Sequence, residues 1–290
     1  MPSAVPAPLA SIAARLRCPT CLQTLAPARG SLTCSRGHTH DLARHGYVTL
    51  LAGARRSPVG DDAGMLAARA AIQNAGHLEP LTAALAETAR SLCTPGTSVI
   101  LDAGAGTAHH LGGVLDTLPS ALGVALDISR AASRRAARAH NRIASVRGDI
   151  WHAIPLGDGT VDLALSVFAP RNANELARVL RPGGAVTVAT PAAEHLHELA
   201  MLHTIGIDPA KVPRLQRLFS AWPSADRVRQ ISWTMSLTHR DVTRMLAMGP
   251  TARHLRPDFQ HHLAALTEPV HVSAAIELRT FRHPPQLPLR

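Results

Sequence analysis

The segment Val99-Ile-Leu-Asp-Ala-Gly-Ala-Gly106 joins an apolar run to a glycine-rich turn. The apolar run predicts a buried strand, and the glycines let the backbone approach a bound ligand without a Cβ in the way. In an open α/β sheet the ligand lies beyond the carboxyl end of such a strand. We therefore predict an α/β protein with a binding site that includes Asp102, Gly104 and Gly106.

Strands and helices alternate on the carboxyl side of this segment. Short β-rich runs occur at 98–101, 123–126, 144–146, 161–167 and 185–189, with helical stretches such as 129–140 and 172–180 between them. Further on, 228–237 and 270–281 alternate in polarity as half-exposed strands do, around a helix at 238–248. Upstream, apolar spacing predicts two helices between Met65 and Leu92. The pattern predicts a seven-stranded, mainly parallel sheet with helices on both faces.

Acidic residues follow the second and third strands of this sheet. Asp127 lies 21 residues beyond Gly106, a spacing that suits an acid accepting ribose hydroxyls and repelling a cofactor phosphate. Position 109 is His, so the dinucleotide pattern Gly-x-Gly-x-x-Gly is absent. Asp149 and Ile150 stand where an acid and an apolar side chain can meet an adenine ring. Each acid alone could be a helix cap or a surface carboxylate, but together they favour an adenosine-type cofactor.

The fourth strand ends in Ser166-Val-Phe-Ala-Pro-Arg171. Pro170 prevents simple continuation of a strand or a helix. Phe168 is either a core aromatic residue or a platform on which a base stacks beside the cofactor. Phe168 and Pro170 are our candidates for positioning a substrate, and the sequence names no certain catalytic base.

Three cysteines and a histidine near the amino terminus have the spacing Cys18-x2-Cys21-x12-Cys34-x3-His38. Two knuckles of this kind bring thiolate and imidazole ligands to the corners of a tetrahedron, which predicts zinc. His40 could replace His38 by geometry. Four protein ligands leave no position for water, so we predict a structural zinc in a module that ends at residue 51.

Charge and composition indicate a polyanionic partner. The formal charge is +10, nearly all of it from arginine, since Lys211 is the one lysine. Part of this excess reflects a GC-rich genome, but arginine also gives bidentate phosphate contacts, which favours nucleic acid over an anionic membrane surface. Arg130, Arg134 and Arg138 share one face of a predicted helix, as an RNA contact or as a solvated surface. No apolar run of eighteen residues and no cationic leader occur, which predicts a cytoplasmic protein.

Three regions are predicted along the chain. Residues 1–51 form a zinc-binding, RNA-recognition module whose first dozen residues, rich in Pro and Ala, are expected to fray. Residues 52–95 hold a linker at 52–64, with Arg55 and Arg56, and the two helices. Residues 96–290 form the α/β domain.

With these motifs in place, the chain resembles the bacterial 23S ribosomal RNA guanine-N1 methyltransferases, and most of all the branch from actinomycetes that make tylosin- or mycinamicin-type macrolides. The resemblance covers nearly the whole chain. Its specific pieces are the Cys/His quartet, Gly46-Tyr-Val-Thr-Leu-Leu51, Ala75-Gly-His-Leu-Glu-Pro-Leu81, Ala169-Pro-Arg171, Leu180-Arg-Pro-Gly-Gly184 and Thr190-Pro-Ala-Ala-Glu-His-Leu-His-Glu-Leu199.

The resemblance implies a class I S-adenosylmethionine-dependent methyltransferase with a Rossmann-like sheet and a small zinc-ribbon-like domain. It implies cofactor contacts from Leu78, Gly106, Thr107 and His195, although Leu78 replaces the family's tyrosine and could offer only a backbone or aliphatic contact. The implied reaction methylates N1 of a guanine in a domain II hairpin of 23S RNA, which confers macrolide resistance. A homodimer is implied by analogy.

Two other functions remain compatible with these residues. A methyltransferase acting on a small molecule would need neither a zinc module nor an excess of arginine. A non-catalytic RNA-binding protein with a relict cofactor pocket would not need Asp102, Asp127 and Asp149 together.

Overall fold

The computed structural model describes residues 4–51, 60–94, 96, 98–202, 211–222, 227–249, 252 and 254–283. Residues 52–59 of the predicted linker, among them Arg55 and Arg56, lie outside the described residues. None of the helices in the described ranges has both the length and the apolar character that a bilayer crossing requires.

The amino-terminal region holds short elements around a small antiparallel sheet. They are α1 Ala7–Ile12, a 3₁₀ helix Ala13–Arg15, β1 Leu25–Ala28, β2 Ser31–Cys34, β3 Thr39–Asp41 and β4 Val48–Thr49. The small sheet has the order β1-β2-β3.

The rest of the chain alternates between helices and strands and then ends in two long antiparallel strands. Its elements are α2 Ala63–Asn74, α3 Glu79–Leu92, β5 Val99–Ala103, α4 His109–Asp116, β6 Leu122–Asp127, α5 Arg130–Ala136, β7 Ile143–Arg147, β8 Val161–Val167, α6 Ala173–Val179, β9 Leu180–Pro191, a 3₁₀ helix His197–Leu202, α7 Lys211–Leu218, β10 Arg227–Leu237, α8 His239–Ala247, α9 Phe259–Ala264 and β11 Val270–Arg282.

All seven predicted strands join one large sheet in the order β10-β11-β9-β8-β5-β6-β7-β4. Neighbours from β9 to β4 are parallel, and β11 is antiparallel to both β9 and β10. The predicted α/β class is thereby confirmed. An eighth strand, β4, comes from the amino-terminal region and was not predicted, because two residues carry too little pattern to identify a strand.

Helices cover both faces of the large sheet, which is why its central strands read as continuous apolar runs. Odd-numbered residues of β5 such as Leu101 pack in one core with α1, α6 and α7. Ile100 packs in the opposite core with α3, α4 and α5. A third, smaller core lies between α2, α8, α9 and the sheet end formed by β10 and β11.

The expectation that the first dozen residues fray was wrong for α1. Leu9 and Ile12 are almost completely buried, and they belong to the same core as Val146 of β7. Their burial against the sheet stabilises a helix that its Pro/Ala-rich sequence does not suggest. Cys18 and Leu32 of the cysteine module share this core, so the region before residue 51 packs directly on the sheet.

Candidate active site and metal centre

The candidate active site lies at the carboxyl edge of the large sheet, where β5 stands between β6 and β8. The chain order of the strands reverses direction at this point, and open α/β sheets leave a crevice for ligands there. Asp127 ends β6, Asp149 follows β7 and Phe168 follows β8. The structure therefore brings together the segments that the sequence predicted from successive strands.

The loop after β5 forms a tight cradle. Gly104 and Gly106 have φ angles of +82° and +54°. A Cβ on Gly104 would stand 2.5 Å from the Cβ of Ala169, and one on Gly106 would stand 2.7 Å from Nη1 of Arg69. Ala108 is also left-handed, with φ +58°, where a third glycine would be relaxed. A side chain at Gly104 or Gly106 would therefore force Ala169 or Arg69 to move.

Two carboxyl groups lie near the carboxyl ends of the neighbouring strands β5 and β6, those of Asp102 and Asp127. Asp127 accepts hydrogen bonds from the backbone N–H groups of Gly106 and Ser129, both at 2.8 Å. Burial raises the pKa of Asp127, the nearby Asp61 adds to the rise, and the two backbone hydrogen bonds oppose it. Burial, with the charge of Asp127, raises the pKa of Asp102 to about 7. Acceptors of this kind suit a ligand that brings hydroxyl donors and positive charge.

Asp149 and Ile150 are buried just beyond β7. Asp149 accepts a hydrogen bond from the backbone N–H of Trp151 at 2.9 Å, and its second oxygen lies 2.8 Å from Nδ1 of His152. The predicted cap-like alternative for Asp149 is therefore present in this structure, beside an apolar residue that can pack on a ring.

Ala169 and Pro170 border the glycine loop from the β8 side, and Phe168 directly precedes them in the chain. Phe168 has a φ of +53° and is 43% exposed, so it is not a core aromatic residue. Its ring lies 6.3 Å from the ring of His195, at an angle of 20°. Nδ1 of His195 accepts a hydrogen bond from the backbone N–H of Ala275 at 3.3 Å. An exposed ring held in an uncommon backbone conformation is typical of a functional site.

The two remaining predicted residues have different surroundings. The Thr107 hydroxyl donates to Oε1 of Gln73 at 2.7 Å, which links the glycine loop to α2. Leu78 is 6% exposed and packs in the small core with Ile72 and Leu199. Its side chain therefore belongs to that core, and a contact between Leu78 and the cofactor stays a prediction.

Two residues of this site were missed in the sequence. Arg69 reaches the glycine loop from α2, and its distance in sequence from Gly106 gave no signal of contact. Trp151 directly follows Ile150 and is 57% exposed. Its position directly after Asp149 and Ile150, the predicted adenine contacts, was the available signal.

The four predicted metal ligands meet in one cluster. The ligand atoms of Cys18, Cys21, Cys34 and His38 all lie within 4.8 Å of one another. Sγ of Cys21 and Sγ of Cys34 are 3.6 Å apart, and Nδ1 of His38 is 3.4 Å from Cys34 and 3.7 Å from Cys18. Zn–S bonds of ~2.3 Å place two sulfurs of a tetrahedral site ~3.8 Å apart, so this spacing fits zinc.

Protonation and outer contacts also favour zinc at this cluster. Burial raises the pKa of the Cys34 thiol, but backbone hydrogen bonds from Arg36 and His38, with the Cys21 and His38 side chains, lower it to about 6. A thiolate is the form that binds metal. Nε2 of His40 lies 3.4 Å from Sγ of Cys18, which makes His40 a neighbour of the cluster rather than one of its four ligands. The site has no open position, which makes the zinc structural.

Together, the strand order and the crevice define the class: this is a class I S-adenosylmethionine-dependent methyltransferase with an amino-terminal zinc ribbon. Comparison with sequence families agrees with both parts. The family described as “RlmA, N-terminal” matches residues 16–57, and the family described as “Methyltransferase domain” matches residues 100–184.

Three relatives then identify the family. A protein of Micromonospora griseorubida named as a 23S rRNA (guanine-N1)-methyltransferase is 46% identical over 92% of this chain and 97% of its own. The 23S rRNA (guanine(748)-N1)-methyltransferase of Streptomyces fradiae is 43% identical, over 84% and 87%. A Bacillus subtilis protein named as a 23S rRNA (guanine-N1)-methyltransferase, without a nucleotide position, is 33% identical over 81% of this chain and 86% of its own. The chain belongs to the 23S rRNA (guanine-N1)-methyltransferase family.

Proposed function

We propose that this protein transfers the methyl group of S-adenosylmethionine to N1 of a guanine in a domain II hairpin of 23S ribosomal RNA. The observation that carries this proposal is that two actinomycete relatives, 46% and 43% identical over 92% and 84% of this chain, are named as 23S rRNA guanine-N1 methyltransferases. Position 748, which the name of the Streptomyces fradiae relative specifies, is the first nucleotide to examine. The biological result would be resistance to macrolides of the tylosin or mycinamicin type.

The predicted cofactor residues, which lie at the ends of different strands, would each bind a different part of the cofactor. Asp127 would accept the ribose hydroxyls, while Asp149 and Ile150 would meet the adenine ring. S-Adenosylmethionine, when bound, supplies a methyl group on a sulfonium, which is already a good leaving group. Gly104 and Gly106 would let the backbone contact the cofactor closely.

Guanine N1 lies on the paired edge of a hairpin stem, so the base must leave the stack before it can react. Phe168 is an exposed ring at the end of β8, next to Ala169 and Pro170, which border the glycine loop. We propose that Phe168 stacks on the extruded guanine while Pro170 fixes the segment that carries it. The nearly parallel ring of His195 would border the same space. Orientation of N1 toward the methyl carbon would supply most of the rate enhancement, and a weak base, water or a carbonyl would take the N1 proton.

The exposed aromatic residues support an unpaired RNA substrate. The chain has three tryptophans, one tyrosine and four phenylalanines. Among these, Trp151 and Phe168 are the two with exposed side chains, and both follow carboxyl ends of strands at the candidate active site. Aromatic side chains stack on splayed bases without the need for a duplex groove.

A positive surface joins the zinc module to α5, and we propose that it binds RNA phosphates. Nη2 of Arg138 lies 2.9 Å from Nδ1 of His45, and Nε of Arg44 lies 3.1 Å from Nε2 of the same ring. Partial burial lowers the pKa of His45, and Arg134, Arg44 and Arg138 lower it further. Such crowded positive charge is relieved by a polyanion. We call Arg44, His45, Arg134 and Arg138 the basic surface.

Two further expectations belong to this proposal and rest on the family alone. The substrate is part of the bacterial ribosome, which would place the protein in the cytoplasm. A homodimer is expected by analogy, and sedimentation of the purified protein at several concentrations would test it.

Methylation of a synthetic domain II hairpin tests the proposed reaction. With purified protein and S-adenosylmethionine, reverse transcriptase should stop one nucleotide before the modified guanine, because an N1-methyl group blocks base pairing. A hairpin with adenine at that position is the control and should give no stop. Labelled methyl transfer to small phenols but not to RNA would support a small-molecule enzyme instead. RNA binding without cofactor binding would support a non-catalytic protein.

A further inference from the structure

The guanidinium of Arg69 is held in a fixed orientation above the glycine loop. Its Nη2 atom lies 2.6 Å from Oδ2 of Asp61 and donates a hydrogen bond of 2.7 Å to the carbonyl oxygen of Met248. Its Nη1 atom faces the loop, since a Cβ on Gly106 would stand 2.7 Å from it. One edge of the guanidinium is therefore anchored by two acceptors, and the other edge is directed at the cofactor cradle.

This positive charge stands in an otherwise acidic site. Asp102 and Asp127 lie at the ends of the two central strands, and Asp127 is bonded to the same glycine loop that Arg69 overlies. These acids suit the hydroxyls and positive charges of the cofactor, but they repel its one negative group, the carboxylate of the methionine moiety. A nearby arginine offsets that repulsion and can donate in the plane that a carboxylate accepts.

The order of the strands determines where the methionine moiety of the cofactor runs. Adenosine, the reacting methyl and the amino-acid tail all meet at the sulfonium. If the sugar lies at Asp127 at the end of β6 and the methyl group points toward Phe168, just after β8, the amino-acid tail passes over the loop that follows β5, the strand between them. Arg69 of α2 is the cation that borders that loop at Gly106.

We propose that Arg69 binds the methionine carboxylate of S-adenosylmethionine through Nη1, while Asp61 and the Met248 carbonyl position Nη2. This assigns a cofactor-binding role to a residue outside the glycine loop and outside the strand ends. It also gives α2 a function, because Arg69 faces Gly106 and Gln73 of the same helix accepts a hydrogen bond from Thr107 of the loop. The proposal requires the methyl donor but not the identity of the RNA.

Calorimetric titration with two nucleosides tests this role. S-Adenosylhomocysteine keeps the carboxylate, whereas 5′-methylthioadenosine lacks the whole amino-acid moiety. Arg69→Gln should weaken binding of the first about 10- to 100-fold, the effect of losing a charge-assisted hydrogen bond, and should change binding of the second by less than about threefold. Arg90→Gln, at an exposed position of α3, makes the same charge change and should alter neither affinity.

Two results would overturn the proposal: equal weakening of both nucleosides, which would indicate a general structural role, or no weakening of either. If Arg69→Gln does not fold, Arg69→Lys decides, and it should weaken only S-adenosylhomocysteine, by a smaller factor. Wild-type protein that binds neither nucleoside would contradict the assignment of the methyl donor itself. If Arg69→Gln weakens S-adenosylhomocysteine selectively but the wild-type protein does not methylate the RNA, only the proposed RNA substrate is contradicted.

Discussion

At the scale of single residues, the site is defined by side chains that pack closely against the glycine loop. The glycine loop touches Arg69 on one side and Ala169 on the other, and its N–H at Gly106 binds Asp127. The predicted roles of Gly106 and Asp127 followed from strand–loop spacing, which local sequence records. The part played by Arg69 could not be predicted, because only the packing of α2 brings it to the loop.

Gly106→Ala should lower the affinity for S-adenosylhomocysteine at least about tenfold, because a Cβ must displace Arg69 and the φ of +54° strains any side chain. Titration calorimetry would measure this. Gly183→Ala is the matched control, since φ there is +75° and nothing lies within 4 Å of its Cβ. Equal losses in both variants would show that backbone strain, and not the cradle, controls binding.

Asp102 should make stability depend on pH. Its pKa is about 7 in the folded protein against an ordinary 3.8. Between those values the folded state keeps a proton that the unfolded state has released, so stability falls as the pH rises from about 4 to about 7. Asp102→Asn should flatten this dependence in denaturant titrations without cofactor. Asp41→Asn, on an exposed strand, should retain the pH dependence of stability. Loss of the pH dependence in both variants would contradict the claim that the buried Asp102 carboxyl causes it.

At the scale of elements, apolar pattern and burial explain what the sequence could predict. Strands such as β5 and β8 are buried on both faces, so that their runs of Val, Ile and Leu identified them. Helix α1 and strand β4 are too short to carry such a pattern. Their stability comes from contact with the sheet, and local sequence does not predict tertiary contacts of that kind.

Cys34→Ser should release zinc and lower the melting temperature by about 10 °C or more, because thiolate–zinc bonds order the module and its core continues into that of the sheet. Metal analysis and calorimetry would measure both effects. Cys93→Ala removes a buried cysteine outside the cluster and should keep the zinc. Zinc loss without any change in the melting transition would show that the module and the sheet unfold independently.

At the scale of the whole molecule, the zinc module and the catalytic sheet form one packed body. Strand β4 pairs with β7, and Leu9, Leu32 and Leu101 belong to one core. This packing gives the basic surface a fixed distance from the cofactor crevice. We therefore expect that mutations can impair RNA binding without impairing cofactor binding, although the fixed distance between the two sites determines which nucleotide is methylated.

Replacement of Arg134 and Arg138 by glutamine should weaken binding to the hairpin and reduce the slope of log K against log salt by about 2, one for each lost phosphate contact. Filter binding over a range of salt concentrations would measure the slope. Cofactor affinity should not change, and Arg90→Gln should leave the slope intact. An unchanged slope in the double variant would contradict the proposal that the basic surface binds RNA phosphates.

Mass mapping of 23S RNA from a host that lacks the modification is the most direct test of the central claim, that a strand-end acid holds a methyl donor used on guanine N1. Cells that express the wild-type protein should contain one additional N1-methylguanine in domain II. Cells that express Asp127→Ala at the same level should lack it or show a small fraction of it. Absence of the methylated base with the wild-type protein, or full methylation with Asp127→Ala, would contradict the claim.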